Sequence, residues 1–271
     1  MRDFKRALYS DDPLDLLMMV SGLMAATEPT PGPDEDPPTD LAMLVETFIG
    51  VDVASTTAAL HVVAAFTEDD LLAHRIATEL RQRRQPMPAW VSGLGSASPT
   101  GAVVCTHPLG DGANQGIGVR LADGTELVAL VYVDSVLGTV AKDGFVMPDT
   151  LESVRAQFEG AGPDVLVPDA DPAGVRGSIE RALAAGRRTY PPLESDTWPL
   201  ARPLVEWMAR LLPPPTAAPE EWDAQRTDAL ALPPWEALGE EGCERLRTLV
   251  RPLSKAIVAS GTFGFRPDPD A

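Results

Sequence analysis

Glu126-Leu127-Val128-Ala129-Leu130-Val131-Tyr132-Val133, followed directly by Asp134, is the stretch that decides the fold. It is apolar at odd and even positions alike, has the length of a strand rather than of a membrane span, and so reads as a strand buried on both faces. A strand of that kind has to be covered on two sides. Just before it, Asp123-Gly124 is a hairpin signal and predicts a type I′ turn, in which both central residues take positive φ. Residues 102–106, 116–121 and 139–146 read as three further strands, separated by Gly, Asp and Asn clusters. Short turns between consecutive strands predict a mostly antiparallel sheet.

Outside this sheet the apolar period changes to that of helices. Leu14, Leu17, Met18, Ser21 and Met24 follow Asp12-Pro13, which reads as an N-cap and first helical position. Residues 28–39 hold five prolines and several acids, and predict a flexible solvated loop. Leu41, Leu44, Val45, Phe48 and Ile49 make a stripe behind Asp40; Leu60, Val63 and Ala64 make another after Ser55. Thr67 and Asp70 resemble a capping box ahead of Leu72, Ile76 and Leu80, a helix that Pro86 ends. Leu151, Val154 and Phe158 predict a short helix, residues 165–167 a weak strand, and residues 172–185 another helix. In the last third, Leu200, Leu204, Trp207, Met208 and Leu211 form a stripe, with Asp196 as a cap and Pro203 placed near the first turn. Leu246, Leu249, Val250, Leu253 and Ile257 form the final one, kinked at Pro252.

The expected architecture is therefore α+β. A helical N-terminal lobe covers residues 1–90, a central sheet covered by helices covers 100–190, and a helical C-terminal region packing on the sheet covers 191–271. Packing of helices is the reading for Trp198, Trp207, Trp222 and Trp235.

Forty acidic residues against 22 basic ones give a net charge of −18, which repels phosphate backbones and anionic lipid heads. The expectation is no nucleic acid and no membrane, with another protein or self-association as the partner. Arg81, Arg83 and Arg84 lie at a predicted helix C-terminus, where cations meet the helix dipole favourably. No secretory-signal pattern opens the chain, and Cys105 and Cys243 are too few for a disulfide framework or zinc site, so a cytoplasmic, reducing setting is expected.

Four constellations invite chemistry. Residues 110–118, Gly-Asp-Gly-Ala-Asn-Gln-Gly-Ile-Gly, look like a phosphate loop but precede a strand and lack the glycine spacing and Lys of the known fingerprints. They read as a glycine-rich hairpin or bulged turn, and no cofactor is predicted. Cys105 and His107, two apart, share a strand face as a thiolate and its base might. His61 and His74 stand on separate helices with no companion ligand at metal-binding spacing. Asp134 ends the central strand. If Glu152 and Asp169 converged on it, the three could hold a divalent metal and assist hydrolysis.

That last layout, over residues 126–171, resembles ribonuclease H-like nucleases, where a strand carboxylate, a helix glutamate and a later strand aspartate hold magnesium. A second resemblance runs along most of the chain. Residues 109–121, 131–134, 137–143 and 192–199 are similar to segments of uncharacterised actinobacterial proteins, which implies a family without an activity. The leading expectation is a non-enzymatic protein-interaction or regulatory module. The alternative is a divalent-metal-dependent hydrolase centred on Asp134.

Overall fold

The computed structural model describes residues 2–28, 40–107, 109–136, 138–162, 164–189 and 198–215. Met1–Thr216 forms one compact unit and Ala217–Ala271 a second, which lies outside the described residues, as does the expected loop beyond Glu28. The first unit begins with helices α1 (Arg2–Leu8), α2 (Leu14–Ala25), α3 (Leu41–Ile49), α4 (Ala54–Phe66), α5 (Asp70–Leu80) and α6 (Ala89–Ser92). A 3-10 turn at Leu94–Ser96 leads to strands β1 (Ser98–Thr106), β2 (Gly112–Arg120), β3 (Glu126–Asp134) and β4 (Val140–Met147). Helices α7 (Leu151–Glu159), α8 (Pro172–Gly186) and α9 (Trp198–Leu211) follow. The chain is thus an α+β fold, and among the described residues no helix is long and apolar enough to cross a membrane.

The sheet runs β1-β2-β3-β4, every pair antiparallel. Along β3 the odd positions Leu127, Ala129, Val131 and Val133 join one large core with the helices, while Val128 and Leu130 join Val103 and Val154 of α7 in a smaller core. Both faces are covered, as an all-apolar strand requires. Residues 165–167 form no strand: Leu166 makes a single antiparallel bridge to Thr106 at the outer edge of β1.

The β2–β3 connection differs from a type I′ turn. Gly124 has φ +93°, and among the described residues other than glycine only Thr139 has a positive φ, so Asp123 stays in the ordinary region. Gly124 N–H donates to the Leu121 carbonyl at 3.0 Å and Leu121 N–H to that of Thr125 at 2.8 Å. This is a three-residue loop in which a type I turn ends on a positive-φ glycine, with the Asp123 carboxylate accepting from Thr125 N–H at 3.0 Å.

The glycine-rich segment likewise becomes strand from Gly112 onward. A Cβ at Gly116 would lie 2.5 Å from Val103 Cγ1, and one at Gly118 2.2 Å from Thr100 Oγ1. The glycines leave room for side chains from β1 and from α7, a packing role.

Helix starts follow local chemistry. Asp40 caps α3 by accepting from Ala42 N–H at 3.0 Å. Asp69, one residue before Asp70, caps α5 by accepting from Leu71 and Leu72 N–H; Thr67 instead accepts from Asp69 N–H, so the expected capping box is replaced by a single Asp cap.

Arg83 is not a dipole complement to its own helix, as the basic cluster suggested. Its side chain, 2% exposed, reaches back to the end of α3 and donates to the carbonyls of Phe48 and Ile49 at 3.0 and 2.9 Å and of Val51 at 3.3 Å. Glu79 pairs with its Nε at 3.0 Å, and the hydroxyls of Thr56 and Thr57 accept from Nη1 at 3.1 Å each. One buried guanidinium thus adds charge-assisted donors to carbonyls at and just beyond the end of α3, where the helical ladder runs out.

Candidate functional site

Asp134 ends β3 opposite Gly112 and Val140, nearly buried. One carboxylate oxygen accepts from Val136 N–H at 2.9 Å, an Asx turn that starts the β3–β4 connection; the other lies 3.6 Å from Lys142 Nζ. Tyr132 stands beside it, its ring filling the space a side chain at Gly112 would take. Burial, and then the negative charges of Asp111 and Asp134, push the Tyr132 hydroxyl above its usual range.

The other two carboxylates lie elsewhere. Glu152 sits in the first turn of α7, over the far end of the sheet. Asp169, fully exposed, pairs with Arg155 at 3.7 Å and follows the Leu166 bridge. From Leu166 across Thr106 and Ala113 to Val133 are three strand spacings, about 14 Å. Among the described residues no three His, Cys, Asp or Glu are grouped to hold a metal ion. The strand that would have carried Asp169 inward is missing.

Cys105 and His107 do not form an activated pair. Cys105 is buried, and burial pushes its thiol up, the wrong direction for a thiolate. His107 lies past the end of β1, exposed, with Nδ1 accepting from Leu109 N–H at 3.3 Å. His61 is partly buried in α4, which lowers its pKa, and His74 lies exposed on α5. Cys243 lies outside the described residues.

Helix α9 is held more firmly than any of these. Trp198 at its start is fully buried, its ring against Gly144 of β4. Pro203 lies inside the helix, past the first turn where it was expected. Nearby, Ser21 of α2 inserts its hydroxyl into the helical ladder, donating to the Leu200 carbonyl at 2.6 Å and accepting from Leu204 N–H at 3.1 Å. At the other end, Arg176 of α8 donates to the carbonyls of Arg210 and Leu212 at 3.1 and 2.8 Å. Trp207 stacks on Phe66 with ring centroids 5.3 Å apart. Trp198 and Trp207 therefore pack; Trp222 and Trp235 lie outside the described residues, as does Asp196.

Ser21→Ala is expected to cost about 1–3 kcal/mol, because two buried backbone groups of α9 lose a shared partner. Urea unfolding checks this; Ser10→Ala, on an exposed pair with Asp15, is the control and should change little.

A helix-turn-helix family matches residues 201–264. The match covers under a quarter of the chain. It begins inside α9 and continues past the described residues. No curated protein and no solved structure matches the chain.

This match overturns the expectation of no nucleic-acid partner. That expectation rested on the net charge of −18, which is a sum over the whole chain, whereas duplex docking depends on the local surface that meets the phosphates. Within the matched segment, residues 245–255 carry Arg245, Arg247, Arg251 and Lys255 and no acid. The matched segment as a whole carries seven basic and nine acidic residues, so the basic signal is confined to this short run and is visible only in a window of about that length.

Proposed function

We propose that this chain is a regulatory protein without an enzymatic role, contacting duplex DNA through residues 201–264. The observation that carries the reading is the helix-turn-helix match over those residues. The charge pattern supports it. Arg247, Arg251 and Lys255 recur at i, i+4 and i+8, so in a helix they share one side. At the same spacing Leu246, Leu249, Val250, Leu253 and Ile257 gather on a different side. An apolar stripe for the body beside a basic stripe for phosphates is what a DNA-docking helix needs. The anchoring of α9 is consistent with this: a segment that bears on DNA transmits its position only if its first helix is fixed to the rest of the protein.

Binding of a mixed-sequence duplex at low salt tests the reading. Affinity is expected to fall steeply with salt, and the combined variant Arg247→Gln, Arg251→Gln, Lys255→Gln to bind at least tenfold more weakly, with a log–log salt slope smaller by about two to three. Equal affinity and slope in the wild type and the triple variant would contradict it.

A further inference from the structure

Helices α2, α8 and α9 and the end of α4 enclose a cleft of about 600 Å³, a volume typical of small-molecule sites. Helix α8 presents Arg176, Glu180, Leu183 and Arg187 to it along one face, and α9 presents Pro203, Glu206, Ala209 and Arg210. Met24, Leu41 and Phe66 add apolar wall, and Glu28 and Glu68 stand among the lining residues. The lining thus has four glutamates and three arginines.

The arginines are unequal. Arg176 binds Glu180 at 2.7 Å and two backbone carbonyls at the end of α9. Arg210 binds Glu68 at 2.7 Å and the Phe66 carbonyl at the end of α4. Both are fixed by main-chain acceptors and tie helices together. Arg187 differs: it is the C-cap residue of α8, its side chain is half exposed, and it pairs with Glu206. Glu206 itself is mostly buried, its side chain 19% exposed, and burial, together with the negative charge of Glu28, outweighs Arg187, Arg202 and Arg210, so that its carboxyl is pushed above the usual range. Arg202 and Arg210 also act on this carboxylate, but Arg187 is the one of the three whose side chain is half exposed and is not held by a main-chain carbonyl at a helix end. A mostly buried carboxylate beside an apolar wall, with one partner open to displacement, suits a positively charged guest.

We propose that this cleft binds a small organic cation, an amine carrying an apolar body, with Glu206 as its counter-ion and Arg187 as the group it displaces. The ammonium donates to the Glu206 carboxylate while the body lies against Phe66, Leu41 and Leu183. An organic anion is disfavoured, because Arg176 and Arg210 would have to leave the backbone carbonyls that they hold. The chain's net charge of −18 further concentrates cations near its surface. The α9 residues that line the cleft belong to the segment matched at 201–264, but amine binding is measured without DNA and does not involve residues 245–255, so its failure and that of the DNA reading are distinguishable.

Titration calorimetry and melting of the full chain test it, using 2-phenylethylamine and 1-aminohexane, with 3-phenylpropionate as the shape-matched anion. At least one amine is expected to bind and raise Tm, and the anion to do neither. Glu206→Gln should weaken amine binding by about tenfold or more, and Arg187→Gln should strengthen it severalfold by removing the competitor. Glu152→Gln, on α7, should leave it unchanged. Binding of the anion at least as tight as that of the amines, weaker amine binding in Arg187→Gln, or no amine binding by either the wild type or Arg187→Gln would overturn the proposal. Because Arg187→Gln alters an exposed residue, the test survives even if Glu206→Gln fails to fold.

Discussion

Arg83→Met is expected to lower Tm by roughly 10 °C, whereas Arg84→Met, one residue on and exposed, should leave it nearly unchanged. The methionine keeps an unbranched apolar stem but removes every donor. The carbonyls of Phe48, Ile49 and Val51 lose their guanidinium, the hydroxyls of Thr56 and Thr57 lose a donor, and Glu79 is left partly buried without its cation. Breaking a buried charge network from one side costs about 3–5 kcal/mol, far more than an exposed ion pair contributes. Arg83→Lys should recover little of this, since one ammonium cannot span the six acceptors that a planar fork reaches. Thermal melting of the four proteins decides it; equal losses at Arg83 and Arg84 would mean that the buried network does not hold α3 to α5.

The second large effect concerns the seat of α9. A Cβ at Gly144 would stand 2.4 Å from Trp198 Cζ3, 2.7 Å from Cε3 and 3.1 Å from the Leu130 carbonyl oxygen. The first two distances are well inside contact, and the indole is fully buried, so it has nowhere to move. Gly144→Ala should therefore cost about 3 kcal/mol, and Gly144→Val should prevent stable folding. Trp198→Leu alone leaves a cavity and is expected to cost about 3 kcal/mol. In combination with Gly144→Ala the loss should be clearly less than additive, because the leucine vacates the space the methyl needs. Additive losses in urea unfolding would show that the two residues do not meet.

Much of the fold was legible because its signals are local. The strands announce themselves through the apolar run at β3 and the turn residues around it, and α3 through Asp40 ahead of its stripe. Edges were less legible: Gly112 to Gln115 look like a turn by composition, and only the neighbouring bulk of Tyr132 explains why glycine stands in a strand at position 112. The short helices α1 and α6 carry no stripe long enough to be read from periodicity. Contacts distant in sequence were not legible at all. Ser21 meets Leu200 across 179 residues and Arg83 meets Phe48 across 35, and no pattern within either segment encodes the meeting. The carboxylate site failed for a related reason: Asp134, Glu152 and Asp169 could meet only through a strand that the structure reduces to one bridge. The segment that matches a helix-turn-helix family was hidden by averaging, since a strongly acidic chain masks a local run of four basic residues.

Hydrogen–deuterium exchange of the full chain with and without a mixed-sequence duplex, at low salt, tests the DNA reading most directly. The account predicts slowed exchange within residues 201–264, concentrated over 245–255, with the amides of β3 unchanged and the protection lost at high salt. Protection confined to the neighbourhood of Arg81 and Arg84, or uniform exchange with no segment distinguished, would contradict it.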